Sequence, residues 1–166
     1  MRQIVEQTAH AIDAQSPHHV SVMHGDFCFT NIFYDFRTMR IRTIDPRGGM
    51  QDDEESIWGD WRYDLAKISH SLIGGYDLIL AGRYRLHELS DCDMRIDIME
   101  SNAFALAQNQ FASLEVDGLN PKSRQIIAIV IHLFLSMLPL HADRPDRQDA
   151  FLANALRLYQ GYFLES

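Results

Sequence analysis

Polar side chains near the start of the chain have the types and spacing of a site for metal-bound phosphate. Asp26 and Asn31 lie in the segment HGDFCFTN, and Asp45 follows in the segment IDP. Carboxylate and carboxamide oxygens are hard ligands of the kind that Mg²⁺ takes alongside phosphate oxygens. A second carboxylate nearby can accept a hydroxyl proton and orient an attacking oxygen. These residues therefore indicate chemistry on a phosphate group.

Short strands must position these side chains. We predict strands at residues 20–23, 32–34 and 41–44. Residues 35–38 are turn-like, and residues 46–59 are a predicted loop because they combine glycine and proline with an acidic run. Asp26 and Asn31 then bracket a tight loop between two strands, and Asp45 ends the next hairpin. The three side chains are expected to converge on one point.

The remainder of the chain is predicted to be mostly helical. Apolar periodicity predicts helices within residues 2–15, 60–74, 98–114, 123–138 and 151–163. Residues 123–138 are apolar on nearly all sides, which is typical of a central, buried helix. Residues 76–89 are ambiguous and show some features of extended structure. We predict a mainly α fold with a small β element, forming a single domain over residues 1–166. In this domain, catalytic and metal loops at 20–60 precede a helical body at 60–166.

The composition restricts the classes of partner. The chain has 166 residues, 46% hydrophobic and 23% charged, as in an ordinary soluble domain. Its 15 basic and 23 acidic residues give a net charge of -8, which argues against nucleic acid and anionic membranes as partners. The apolar run at 126–140 is shorter than the roughly 20 residues of a membrane span. Cys28 and Cys92 cannot form a disulfide framework, so we expect a cytoplasmic protein.

The candidate segments resemble a known family. HGDFCFTNIFYD, then IDPRG, then GDWRYDLA at residues 59–66 are similar to the catalytic core of the aminoglycoside phosphotransferase and choline kinase superfamily. These are small-molecule kinases with the protein-kinase-like fold. The sequence most resembles bacterial phosphotransferases associated with capsule or surface polysaccharide synthesis, and the resemblance covers residues 18–80. It implies transfer of the γ-phosphate of Mg-ATP to a hydroxyl of a sugar, polysaccharide precursor or amino alcohol.

The resemblance also implies roles for individual residues. Asp26 corresponds to the catalytic base, which accepts the proton of the acceptor hydroxyl. Asn31 and Asp45 correspond to the ligands of Mg²⁺ bound to the nucleotide phosphates. Arg47 is a candidate for contact with phosphate oxygens, although it can equally pair with nearby carboxylates. Two further residues correspond to structural supports of the catalytic loop: His24 and Asp64.

The chain departs from the family pattern at its start. A complete kinase of this fold places an N-terminal lobe, with a phosphate-covering loop and a phosphate-pairing lysine, before the catalytic segment. Only 23 residues precede His24, and the chain's two lysines, Lys67 and Lys122, both follow Asp45. We therefore expect a C-terminal lobe that turns over poorly alone, with a missing N-terminal lobe or a second copy as its partner. Such a lobe is expected to expose an apolar patch and to self-associate.

Two other functions remain open on sequence grounds. One is a non-catalytic kinase-like module, which the missing lysine and glycine-rich loop favour and the intact polar residues oppose. The other is a metal-dependent hydrolase that uses the same carboxylates on a phosphate ester. The acidic run at 52–55, with Trp58, Trp61 and Tyr63, can attract a cationic acceptor, but such a run is more often a solvated loop beside packed aromatics.

Overall fold

A computed structural model describes residues 1–13, 20–51, 54–90 and 93–165. The helices are α1 (Arg2–Asp13), α2 (Trp61–Leu72), α3 (Tyr76–Leu80), α4 (Asn102–Ala112), α5 (Arg124–Met137) and α6 (Pro145–Tyr159). The strands are β1 (Val20–Val22), β2 (Ile32–Asp35), β3 (Arg40–Thr43), β4 (Gly49–Gln51), β5 (Glu54–Ser56), β6 (Trp58–Asp60), β7 (Tyr84–Ser90) and β8 (Asp93–Ile98). Helices predominate, which confirms the predicted mainly α fold with a small β element.

The strands pair as separate antiparallel ribbons, and two of these ribbons position the candidate site. β1 pairs with β6 and β2 pairs with β3, while β4 pairs with β5 and β7 with β8. The pairing of β1 with β6 brings the start of α2 beside the loop that follows β1. The β2–β3 hairpin turns at Asp35, whose carboxylate accepts hydrogen bonds from the Arg37 amide (2.9 Å) and the Thr38 hydroxyl (2.7 Å).

The core is built around α5, which packs against α1, α2 and α6. Its buried residues occupy consecutive turns rather than one stripe: Ile126, Ile127, Ala128, Ile129, Val130, Ile131, Leu133 and Phe134. This arrangement confirms the predicted central helix. Residues 124–141 are also long and apolar enough to cross a membrane by length and composition alone. Here the helix packs against its neighbours, as a core helix does.

The predicted hairpin and the helices α1, α2, α5 and α6 are confirmed, with ends displaced by a few residues. The prediction that residues 46–59 form only a loop is wrong, because β4, β5 and β6 lie there. β6 pairs with β1 across a long stretch of sequence, and such a pairing leaves no local pattern. Gly49 also lies so close to β6 that a β-carbon there would meet the Trp58 carbonyl oxygen at 2.8 Å.

The predicted helix over residues 98–114 begins too early. Ile98 ends strand β8, and the helix α4 starts at Asn102, where the Ser101 hydroxyl accepts a hydrogen bond from the Phe104 amide (3.2 Å). In β8, Met94, Ile96 and Ile98 are less exposed than the residues that alternate with them, which is the pattern of a half-buried strand. The helical body therefore contains a β-hairpin. Residues 76–89 divide into the short helix α3 and strand β7.

Candidate active site

The loop between β1 and β2 brings Asp26 and Asn31 together. It ends in a short 3-10 turn over Phe29–Asn31, which orients the Asn31 side chain back toward the loop. The amide nitrogen Nδ2 of Asn31 donates to the Asp26 carbonyl oxygen at 2.9 Å and lies 3.3 Å from Asp26 Oδ2. Asn31 is buried, whereas Asp26 is partly accessible. These hydrogen bonds therefore fix the Asn31 side chain relative to Asp26.

Asp64, in the first turn of α2, fixes the start of this loop. Its Oδ2 accepts a hydrogen bond from the His24 amide at 2.6 Å, and its Oδ1 accepts one from the Gly25 amide at 2.8 Å. A carboxylate that accepts two backbone N–H groups is strongly held, because hydrogen bonds to an ionised acceptor are short and strong. The loop is thus attached to a helix whose other end lies in the core.

His24 joins this loop to the segment that carries Asp45. Its Nδ1 accepts from the Asp26 amide at 3.3 Å, so the proton belongs on Nε2, which donates to the Ile44 carbonyl oxygen at 3.0 Å. The carbonyl oxygen of His24 accepts from the amides of Arg47 (2.7 Å) and Gly48 (2.9 Å). Three hydrogen bonds of His24, to Ile44, Arg47 and Gly48, therefore hold the two loops together.

Glycine at positions 25 and 48 allows the two loops to touch through their backbones. Both residues have positive φ angles, 78° at Gly25 and 65° at Gly48. A β-carbon at Gly25 would lie 1.9 Å from the Gly48 carbonyl oxygen, and one at Gly48 would lie 2.1 Å from the Ser56 carbonyl oxygen. A side chain at position 25 would separate the two loops, and one at position 48 would collide with the backbone of Ser56 in β5. The glycine of the HGD segment is therefore a packing requirement of the site.

Asp45 is held in an unusual backbone conformation. Its φ angle is 56°, in the left-handed region, which costs a non-glycine residue about 1–2 kcal/mol. Its neighbours are anchored, since the Ile44 amide donates to the Asn31 carbonyl oxygen at 3.0 Å and the Arg47 amide is bonded to His24. The Asp45 side chain is exposed. Such strain is typical of a position that a functional site constrains.

The donor groups present fit a magnesium ion that is completed by ligand oxygens. Asn31 Nδ2 is engaged by Asp26, which leaves the Oδ1 atom for a cation, and Asp45 offers a carboxylate. Both are hard oxygen donors. Among the described residues, no group of three or more His, Cys, Asp or Glu side chains is placed to hold a metal. Asn31 and Asp45 can therefore each offer an oxygen donor to a cation.

Two cations flank Asp26. Lys67 Nζ lies 2.8 Å from Asp26 Oδ1, and Arg47 Nε lies 3.6 Å from Asp26 Oδ2. Burial acts to raise the pKa of Asp26, but the hydrogen bond and charge of Lys67, together with Arg47, outweigh it. The pKa therefore lies below its ordinary value of 3.8. Asp26 is held as an ionised carboxylate.

Lys67 is a site residue that sequence reasoning missed. The sequence interpretation treats both lysines as lying too late in the chain to serve the site. The spacing contains the signal: Lys67 follows Asp64 by one helical turn, and residues three apart share a helix face. Since Asp64 holds the loop, its neighbour one turn later also faces the loop.

The aromatic and acidic residues near the site give a less complete picture. Trp58 is exposed on β6, and Tyr63 lines a recess of about 560 Å³ together with Arg47 and Gly48. The expected attraction for a cationic acceptor rests on the acidic run at 52–55, of which Asp52 and Asp53 lie outside the described residues.

Comparison of the chain with family models, curated proteins and solved structures found no match. The functional argument therefore depends on the residues of the site and their geometry.

Proposed function

We propose that this chain is the C-terminal lobe of a small-molecule kinase of the protein-kinase-like fold. It would transfer the γ-phosphoryl group of Mg-ATP to a hydroxyl of a small molecule. One observation carries the proposal: Asp64 fixes the loop that pairs Asp26 with Asn31, while His24 ties that loop to the strained segment of Asp45. Such joint positioning of a base and two metal ligands is what phosphoryl transfer requires.

Each residue has a role that follows from its contacts. Asp26 accepts the hydroxyl proton, since its carboxylate is ionised and partly accessible. Asn31 Oδ1 and the Asp45 carboxylate hold Mg²⁺, which neutralises phosphate charge when it is bound. The exposed side chain of Arg47 is placed to contact phosphate oxygens once it leaves Asp26. His24 and Asp64 hold the loop geometry and do not take part in the chemistry.

The acceptor class rests on the resemblance of the segments to capsule-associated phosphotransferases. We propose a sugar or polysaccharide precursor, or an amino alcohol, as the hydroxyl donor in a cytoplasmic reaction. The recess beside Arg47 and Tyr63 has room for a small molecule, at about 560 Å³. Arg47 lines this recess and also lies next to Asp26, since its Nε is 3.6 Å from the Asp26 carboxylate.

The exposed apolar surface supports a partner that covers the site, either an N-terminal lobe or a second copy. Every residue of β3 is exposed, including Ile41 at 67%. Phe36 in the hairpin turn is 83% exposed, and Val22 and Trp58 face each other across the β1–β6 ribbon in exposed positions. Exposed apolar surface concentrated in one part of a chain is typical of an interaction surface.

Calorimetric titration of Mg-ATP into the chain tests the proposal. We expect binding that weakens by about tenfold or more in Asp45→Asn, because the variant loses the charge of one metal ligand. Asp117→Asn is the matched control, since Asp117 is also an exposed aspartate with a positive φ angle, 48°. This control should bind as the unmodified chain does. Absence of binding, or equal binding in Asp45→Asn, would contradict the proposal.

A further inference from the structure

The ion pair between Lys67 and Asp26 is the most deeply placed charge pair of the candidate site. Nζ and Oδ1 are 2.8 Å apart, and the two side chains are only 19% and 17% exposed. Arg47, by contrast, is 68% exposed and lies 3.6 Å from the same carboxylate. Lys67 rises from α2 one turn after Asp64, so the helix that fixes the loop also delivers this ammonium group.

The pair has a chemical consequence for the proposed base. A carboxylate that is bonded to an ammonium group is a weaker base than a free one, because the cation stabilises its ionised form. Lys67 thus opposes proton transfer to Asp26 for as long as it stays bonded there. A lysine that only held the side chain in place would therefore hinder the proposed reaction.

The Asp26 carboxylate has two cationic partners. Two cations, Lys67 and Arg47, approach the single carboxylate of Asp26. A partly buried ammonium group on a flexible stem can move to a stronger anion when one arrives. The other lysine of the chain, Lys122, lines a separate cavity with Arg157 and Tyr162. Lys67 is therefore the lysine of this chain that is placed to meet a phosphate group at Asp26.

We infer that Lys67 is a further catalytic residue, which binds the transferring phosphoryl group and releases Asp26 when Mg-ATP arrives. This inference rests on the proposed function. The acceptor oxygen forms a bond to the γ-phosphorus, and its proton passes to the Asp26 carboxylate. The bond between the γ-phosphorus and the bridging oxygen breaks, and its electron pair stays on the ADP oxygen. Lys67 keeps its proton and donates hydrogen bonds to the phosphoryl oxygens.

The test compares nucleotides that differ only in the γ-phosphate. Calorimetry of the full chain should show that Lys67→Gln weakens Mg-ATP binding by about tenfold, the usual effect of losing a hydrogen bond to a charged group. Mg-ADP binding should change by less than about twofold, because ADP lacks the group that Lys67 contacts. Lys67→Arg keeps the charge and should retain most of the affinity for Mg-ATP. Lys122→Gln is the matched control and should bind both nucleotides as the unmodified chain does.

A second comparison separates direct contact from an effect through Asp26. In an Asp26→Asn background, Lys67→Gln should still weaken Mg-ATP binding by about tenfold, because the contact is with the phosphate. Loss of the effect in that background, or equal losses for ATP and ADP, would overturn the inference. Unchanged Mg-ATP affinity in Lys67→Gln, with binding that still depends on Asp45, would overturn this inference alone. Absence of Asp45-dependent binding would overturn both the inference and the proposed function.

Discussion

Asp26 is the residue on which burial and charge act in opposite directions. Burial disfavours its carboxylate, and Lys67, Arg47 and Asn31 together favour it enough to lower the pKa. Because the pKa in the folded protein is lowered, the pair adds to the free energy of unfolding above the ordinary pKa. This contribution is lost as the pH falls through the lowered value. The ion pair therefore stabilises the folded protein at neutral pH and not in acid.

Removal of Lys67 should raise the pKa of Asp26, since burial then acts with only Arg47 and Asn31 against it. An NMR titration of the ¹³C-labelled carboxyl carbon would follow this change. We expect a midpoint below about 3.9 in the unmodified chain and a higher midpoint in Lys67→Gln. Lys122→Gln should leave the midpoint where it was. Equal midpoints in Lys67→Gln and the unmodified chain would show that the pair does not form in solution.

At the scale of the element, α2 organises the site through successive turns. Asp60 caps the helix by accepting from the Arg62 amide at 3.0 Å, and Arg62 Nη1 donates to the Ile12 carbonyl oxygen at the end of α1. Asp64 then holds the loop, and Lys67 contacts the Asp26 carboxylate. One further turn on, the ring of His70 lies in the core, 4.4 Å from the Tyr76 ring and 4.1 Å from the Phe134 ring. Helix α2 therefore connects the candidate site directly to the core.

His70 should make the stability of the fold depend on pH. Burial, with a smaller contribution from Lys67, lowers its pKa to about 3, and its Nε2 has no hydrogen-bond partner among the described residues. The unfolded chain binds a proton near pH 6.5 and the native chain does not, so stability falls as the pH drops below 6.5. The free energy of unfolding can be measured with urea at pH 7 and at pH 5. Between these two pH values it should fall by about 2 kcal/mol more in the unmodified chain than in His70→Leu.

An exposed histidine provides the control for that measurement. His10→Gln removes an imidazole from the surface of α1. Its free energy of unfolding should fall between the two pH values by as much as that of the unmodified chain. The same loss in His70→Leu as in the unmodified chain would show that His70 is accessible to protons in the native state.

The elements that the sequence predicts correctly are those with a strong local pattern. The all-apolar stretch of α5 and the turn at Asp35 between β2 and β3 can be recognised within a few residues of sequence. The β1–β6 pairing cannot, because each strand has only three residues and its partner is distant in the chain. In the β7–β8 hairpin, apolar and polar residues alternate along residues 93–98, as in a half-buried strand. This strand is not predicted from the sequence, because the helix predicted for the following residues extends back to residue 98.

The candidate site divides in the same way. Asp26, Asn31 and Asp45 can be selected from residue type and spacing, and the resemblance of the quoted segments adds His24 and Asp64. Their hydrogen bonds, and the approach of Lys67 to Asp26, depend on how α2 packs beside the loop. That packing is a tertiary property with no local pattern. The positive φ angle of Asp45 is likewise imposed by its anchored neighbours, since aspartate alone does not require it.

At the scale of the whole molecule, the chain combines a well-packed helical core with an uncovered β region. An apolar groove of about 750 Å³ lies among Val20, Ile41, Trp61 and Leu65, beside the exposed face of the hairpin. Exposed apolar residues lie on this β region, among them Ile41 and Phe36. We therefore expect a second copy or a covering lobe to bind at this surface.

The central claim is that Asn31 and Asp45 hold the metal ion of a metal-nucleotide complex. Its most direct test is NMR of the ¹⁵N-labelled chain with Mn²⁺ and ATP, because the paramagnetic ion broadens signals only from nearby nuclei. We predict that the amide signals of Asn31, Asp45 and Arg47 broaden first, that excess Mg-ATP restores them, and that Asp45→Asn reduces the broadening at the same concentrations of Mn²⁺ and ATP. Broadening centred on other residues, or unchanged broadening in Asp45→Asn, would contradict the account.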